Sequence, residues 1–132
     1  MTVAQEHDDL SYRPAPMGLS PSERKTVSAR LQKLLAKREE LRTNFVHLDM
    51  ACDDENADKA TASYAKLNRK RDSALSKLCD VQDDVLLYDP QSIEDLRIVI
   101  AMARHQIEAM ELHEDFVELL LSHVERLILP SK

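Results

Sequence analysis

The sequence predicts an all-α protein: a three-helix antiparallel bundle, coiled-coil-like, running up, down and up. Three observations lead to this prediction. The 132 residues include one glycine, no tryptophan and only 4% aromatic residues, which leaves few turn formers and few strand formers. Residues 22–89 contain no proline or glycine. Apolar residues recur there at alternating steps of three and four, which is the spacing of a coiled coil.

The first helix is predicted over about residues 21–52, after a flexible tail at residues 1–19. The tail is polar and shows no apolar period. Three signals mark the start of this helix: Ser20 can cap it, Pro21 suits the first helical position, and Glu23 can complete a capping box.

The second helix is predicted over about residues 57–88, after a tight turn at 53–56. The apolar step from Cys52 to Ala57 is five residues, which breaks the coiled-coil phase, and the intervening Asp-Asp-Glu-Asn favours a turn. The alternative is one continuous helix over about 21–88 that contains a stutter.

The third helix is predicted over about residues 93–129. Two start signals precede it: Asp89 can cap with Pro90 in the first helical position, or Ser92 can cap with Asp95 as its partner.

The helices together define one domain. Three helices of similar length joined by short loops make an antiparallel bundle, here over residues 20–130.

The third helix has an apolar stripe that widens toward its C-terminal end. Two neighbouring helices cannot cover a helix that is apolar on most sides, and leaving it exposed favours association. We therefore predict self-association, most simply as a homodimer, or capture of a partner protein through this helix. The predicted interface residues are Phe116, Leu119, Leu120, Leu121, Val124, Leu127 and Ile128.

Two arginines, Arg38 and Arg71, interrupt the apolar seams of the first two helices. With the turn placed near residues 54–55, residues facing each other in the hairpin have numbers that add to about 109, so these arginines would meet. Glu108 or Glu111 of the third helix would reach the same level. We interpret the set as a polar layer that fixes helix register. Outward-reaching arginine stems and an anion site remain alternatives.

The stretch LQKLLAKREEL, Leu31 to Leu41, resembles the first helix of the all-helical chorismate mutases, in which an arginine after a Leu-Leu run binds a substrate carboxylate. The resemblance implies mutase activity with Arg38 in that role. It is confined to this stretch, and the second segment lacks the family's further arginine and glutamate arrangement. The layout also resembles small three-helix chaperones and adaptors.

Charge is unevenly distributed along the chain. The net charge of −6 and the pI of about 5.3 argue against nucleic acid and anionic membranes as default partners. Residues 24–42 nevertheless carry seven basic and two acidic side chains, whereas residues 93–129 carry eight acidic and three basic ones. We expect these helices to lie side by side. A basic face that includes Asn68–Asp72 is the alternative, and it would make the protein a nucleic-acid-associated regulator.

No motif in the sequence predicts catalysis, a cofactor or a metal site. His105 and Glu108 have an HxxE spacing, but di-iron bundles use Glu-x-x-His, and no serine or cysteine has a nucleophile context. We expect His47, His105, His113 and His123 to be solvent-facing or at the boundary of the core. The sequence is therefore interpreted as a non-enzyme.

The remaining features indicate a cytoplasmic protein. There is no run of about 18 apolar residues that would span a membrane, and the first residues do not form a secretory signal. Cys52 and Cys79 have no partners at metal spacing, so we expect free thiols. The leading hypothesis is an acidic, non-enzymatic interaction module, acting as an adaptor, chaperone, inhibitor or complex subunit.

Overall fold

The computed structural model describes residues 13–54, 58–109 and 111–129, and within these ranges the secondary structure is helical, with no strand. The predicted all-α class is therefore confirmed. The described helices are α1 (Pro21–Thr26), α2 (Ala29–Cys52), α3 (Ala62–Leu86), α4 (Ile93–Ala109) and α5 (Glu114–Leu127).

Helices α2 and α3 form a long antiparallel hairpin. Two cross-helix contacts define the pairing: Arg38 Nε donates to Gln82 Oε1 at 3.2 Å, and Arg71 Nη1 lies 3.6 Å from Asp49 Oδ1. The residue numbers of both pairs add to 120, not 109, so the predicted meeting of Arg38 and Arg71 is wrong. Because the two helices are antiparallel, the alternative of one continuous helix over about 21–88 is wrong.

The register differs because α3 begins later than predicted. Thr61 is its N-cap and accepts a hydrogen bond from the Tyr64 N–H, so the helix starts at Ala62 and not at residue 57. The connection from Cys52 to Ala62 is longer than the tight turn predicted at 53–56, and residues 55–57 within it lie outside the described residues.

The predicted first helix is divided into two. The expected capping box of Ser20 and Glu23 is present at the start of α1. At Val27, however, the backbone is extended, with φ −74° and ψ 138°. Val27 is buried, and the N–H and Oγ of Ser28 both donate to the Asp95 carboxylate. The break is therefore made by tertiary contacts, which periodicity along one segment does not reveal.

The predicted third helix is also divided. Residues 111–113 are not helical, and His113 begins α5 by accepting a hydrogen bond from the Asp115 N–H. Near the other end of α5, Arg126 Nη2 donates to Asp89 Oδ1 at 2.8 Å and to the Pro90 carbonyl at 2.9 Å. This contact returns α5 to the start of α4, so the two helices are antiparallel. The bundle of three equal helices is not confirmed.

Two apolar clusters hold the described helices together. The proximal core lies at the open end of the hairpin, where α4 joins α2 and α3, and includes Leu31, Leu86 and Met102. Among the described residues, the distal core is made by α2 and α3 and consists of Phe45, Ala74, Leu78 and Val81.

Residues 13–20 form an extended segment that packs on α2. Arg13 Nε donates to Asp49 at 2.6 Å, the Ala15 carbonyl accepts from Arg38 Nη1 at 2.7 Å, and the Met17 N–H donates to Glu39 at 3.1 Å. The predicted tail over 1–19 did not include these contacts. Residues 1–12 lie outside the described residues.

Candidate interaction surface

Helix α5 presents a row of apolar side chains to solvent. Val117, Leu121, Val124 and Ile128 follow one another at steps of four, three and four, so they share one face of the helix. Leu121 is 56% exposed, Ile128 50% and Val117 41%, and Val124 is half-buried. We call these four residues the outer row of α5.

The neighbouring face of α5 attaches the helix to its own chain. Phe116 and Leu120 are half-buried and pack against the proximal core. His123 lies on the same face and is buried. The attachment of α5 therefore uses one stripe and leaves the adjacent one uncovered.

The predicted interface residues are distributed over both faces. Leu121 and Ile128 are exposed, whereas Phe116, Leu119, Leu120, Val124 and Leu127 are half-buried. Val117 was missing from the predicted set, although its heptad spacing to Leu121 and Val124 was a signal that could have found it.

The outer row has an acidic flank. Glu118 and Glu125 are exposed and each follows an outer-row residue directly in the chain. Glu114 lies one turn before Glu118, in the first turn of α5, where a carboxylate is stabilised by the helix dipole. The surface therefore combines an apolar centre with negative charge along one side, which suits a partner that is apolar with a basic edge.

His123 is the most buried histidine of the described residues, which corrects the expectation that it lies at the boundary or in solvent. Its Nδ1 lies 3.4 Å from Arg126 Nη2 and 4.0 Å from Asp89 Oδ1, and its Nε2 is buried with no hydrogen-bond partner among the described residues. Burial and the Arg126 charge lower the pKa of His123 below its ordinary value, and Asp89 opposes them. The surroundings therefore favour the neutral ring on the inner face of α5. His47 and His113 are exposed, and His105 is half-buried.

The predicted pairing of Arg38 with Arg71 in a polar layer is not formed. Arg38 is completely buried and donates to Gln82, Glu39 and the Ala15 carbonyl. Arg71 instead lies beside Asp49 in the distal half of the hairpin. Glu108 and Glu111 are exposed. Arg38 and Arg71 are separated because the hairpin register differs from the predicted one.

The Arg38 contacts form part of the attachment of the N-terminal segment. Burial alone raises the pKa of Glu39, but the Met17 N–H and the guanidinium groups of Arg42 and Arg38 outweigh it, so the pKa lies below its ordinary value. Glu39 is therefore held as a carboxylate. It ties the backbone of Met17 to the buried Arg38 cation.

Asp95 is a buried residue whose tertiary role the sequence analysis missed. It is 0% exposed and accepts from the Ser28 N–H at 2.8 Å, Ser28 Oγ at 2.9 Å and the Gln91 N–H at 3.0 Å. Ser92 Oγ in turn accepts from the Asp95 N–H, as its capping signal predicted. Tyr88 shares the Ser28 hydroxyl. The local cap was readable from the sequence, but the long-range bonds to Ser28 were not.

No group of three histidine, cysteine, aspartate or glutamate side chains within the described ranges could hold a metal ion. Burial raises the pKa of the Cys52 and Cys79 thiols, which lowers their thiolate fraction at neutral pH. Arg38, which the mutase resemblance would assign to a substrate carboxylate, has no solvent-exposed surface.

The chain shows no match to any family model, curated protein or solved structure with which it was compared. Among the described helices, none has the length and apolar character needed to cross a bilayer.

Proposed function

We propose that this chain is a non-enzymatic, helical protein–protein interaction subunit that self-associates, as a homodimer, through the outer row of α5. The single observation that carries the proposal is the exposure of Val117, Leu121 and Ile128 on one face of α5. Four apolar residues at coiled-coil spacing form a continuous stripe, and such stripes in water mark sites of association.

The energetics favour covering this row. Removing a large aliphatic side chain from water is worth roughly 1.5–3 kcal/mol when burial is complete. Leu121 and Ile128 are 56% and 50% exposed in the single chain, so about half of that free energy is still available for association. The half-buried Phe116 and Leu120 keep the helix in place, which means that association needs no rearrangement of α5.

The test is the solution mass by light scattering during size-exclusion chromatography. The wild-type chain is expected to be a dimer, and Leu121→Asp is expected to be a folded monomer, because an exposed position tolerates a charge but an interface centre does not. Met50→Asp is the matched control: Met50 is 58% exposed on α2, so it adds the same charge at a similarly exposed apolar position away from α5.

Circular dichroism of both variants separates loss of association from loss of fold. A wild-type monomer at high micromolar concentration would overturn the proposal. So would a Leu121→Asp variant with an unchanged dimer.

A further inference from the structure

A groove runs along the α2/α3 hairpin on the side away from the N-terminal segment. Three adjoining cavities of about 580, 310 and 360 Å³ follow it. The first and second share Asp84, and the second and third share Lys77, so they form one continuous depression. The N-terminal segment is bound elsewhere on α2, by Arg38, Glu39 and Asp49.

The floor of the groove is apolar and has helical spacing. Leu34, Leu41 and Leu48 lie seven residues apart along α2 and are half-buried. Val81 and Ala74 of α3 complete the floor. The leucine row covers a length of about 21 Å at 1.5 Å per residue, which is also about the length of the 14-residue α5.

This groove is where a third helix would lie in a coiled-coil bundle of α2 and α3. In the described chain, α4 and α5 instead join the proximal core, at the open end of the hairpin. No residue of α4 or α5 lines these cavities, so the side-by-side packing that we expected between residues 24–42 and residues 93–129 is not made across this groove by the described residues.

The charges on the two surfaces are complementary. On the α2 side of the groove, Arg30 and Lys37 are exposed and seven residues apart. On α5, Glu118 and Glu125 are exposed and also seven residues apart, beside the outer row. On the opposite side of the groove the charges are mixed: Lys70, Lys77, Asp80 and Asp84. The acidic flank of α5 therefore fits the α2 side.

We propose that the α2/α3 groove receives α5 of a second copy of this chain, with the outer row on the leucine floor and Glu118 and Glu125 against Arg30 and Lys37. The inference rests on the proposed self-association through α5 and adds the surface of the second copy to which α5 binds. Each copy has one groove and one α5, so two reciprocal contacts close a two-fold dimer. In this mode of binding a helix lies in an apolar groove. Its apolar side chains are buried there, and the charges beside them fix its register.

The test is a charge reversal and its rescue, read out as the dimer dissociation constant from sedimentation equilibrium at about 50 mM salt. Arg30→Glu combined with Lys37→Glu places like charges against α5, and we expect dimerisation to weaken by about tenfold or more. Adding Glu118→Lys and Glu125→Lys to the same chain is expected to restore it. The control is Lys25→Glu with Lys59→Glu, which makes the same change in net charge at exposed positions outside the groove.

The outcomes distinguish this inference from the proposal on which it rests. A dimer that Leu121→Asp dissociates but that the Arg30/Lys37 reversal leaves unchanged overturns the groove while retaining α5 as the interface. Weakening without rescue by the α5 reversal also overturns it, as do species larger than a dimer, because the reciprocal pairing would not close. A wild-type monomer overturns both.

Discussion

The two halves of the α2/α3 hairpin are built differently. In the proximal core, Leu31 of α2 and Leu86 of α3 are joined by Met102 of α4, with side chains from the N-terminal segment and α5 around them. In the distal core, the clustered apolar side chains of the described residues, among them Phe45 and Leu78, all come from the two hairpin helices. The comparison shows that equal burial of individual side chains need not mean equal support, because a two-helix core can relax on one side.

The comparison extends to polar contacts. Buried carboxylates occur in both halves, but Asp95 in the proximal half is bonded by Ser28 and Gln91 N–H groups from two segments. Asp49 in the distal half is paired with the side chains of Arg13 and Arg71. Backbone donors are held in place by their helices and turns, whereas arginine side chains must be ordered at an entropic cost.

The largest expected effect on the unfolding free energy comes from shortening one buried leucine in each core. Leu31 and Leu78 are both 0% exposed. Leu31→Ala should lower the free energy of unfolding by about 3–5 kcal/mol and Leu78→Ala by about 2–3 kcal/mol, because the better-supported site collapses less around its cavity. Urea denaturation of the two variants checks the order. A larger loss for Leu78→Ala would contradict the proposed difference between the halves.

The second effect concerns the Asp95 junction. An amide at this position has one acceptor oxygen and a donor that would face the Ser28 and Gln91 N–H groups. Asp95→Asn should therefore cost about 2–3 kcal/mol in unfolding free energy, measured by chemical denaturation, and should increase amide hydrogen exchange in α1. The control is Asp83→Asn, an exposed aspartate of α3. If the two substitutions lower the unfolding free energy equally, the hydrogen bonds of Asp95 contribute no more to stability than an exposed aspartate does.

The smallest effect is a pH dependence at His123. Its pKa in the folded chain lies below the ordinary value of 6.5, so the unfolded chain takes up a proton more readily. The contribution of the neutral His123 ring to the stability of the fold is complete above pH 6.5. It is lost as the pH falls from there toward the lower pKa of the folded chain. Unfolding free energies at about pH 7.5 and pH 5.5 should therefore differ more for the wild type than for His123→Gln.

His105 provides the comparison for that experiment. Burial and the Arg38 charge lower its pKa as well, against Glu108 and Glu39, and the side chain is half-buried. His105→Gln should remove the contribution of His105 to the pH dependence of the unfolding free energy and leave the contribution of His123 unchanged. If the pH dependence is unchanged in His123→Gln, protonation of His123 does not affect the attachment of α5.

Parts of the fold were readable from the sequence because they depend on neighbouring residues. The absence of glycine and proline over residues 22–89, with apolar steps of three and four, was sufficient to predict long helices. The five-residue step from Cys52 to Ala57 was the signal for the hairpin. Ser20 and Glu23 were sufficient for the first capping box. The exposed Leu121 and Ile128 were within the predicted interface set, because an apolar stripe that is too wide for its neighbours is visible in one helix.

The sequence by itself determined helix content, the start of α1 and the apolar excess of α5, because each depends on side chains within a few turns of one another. Tertiary structure alone decided the hairpin register, the breaks at Val27 and at residues 111–113, and the burial of Asp95 and His123. These features depend on partners far apart in the chain, and the one-dimensional period carries no information on which distant group satisfies a given donor or acceptor.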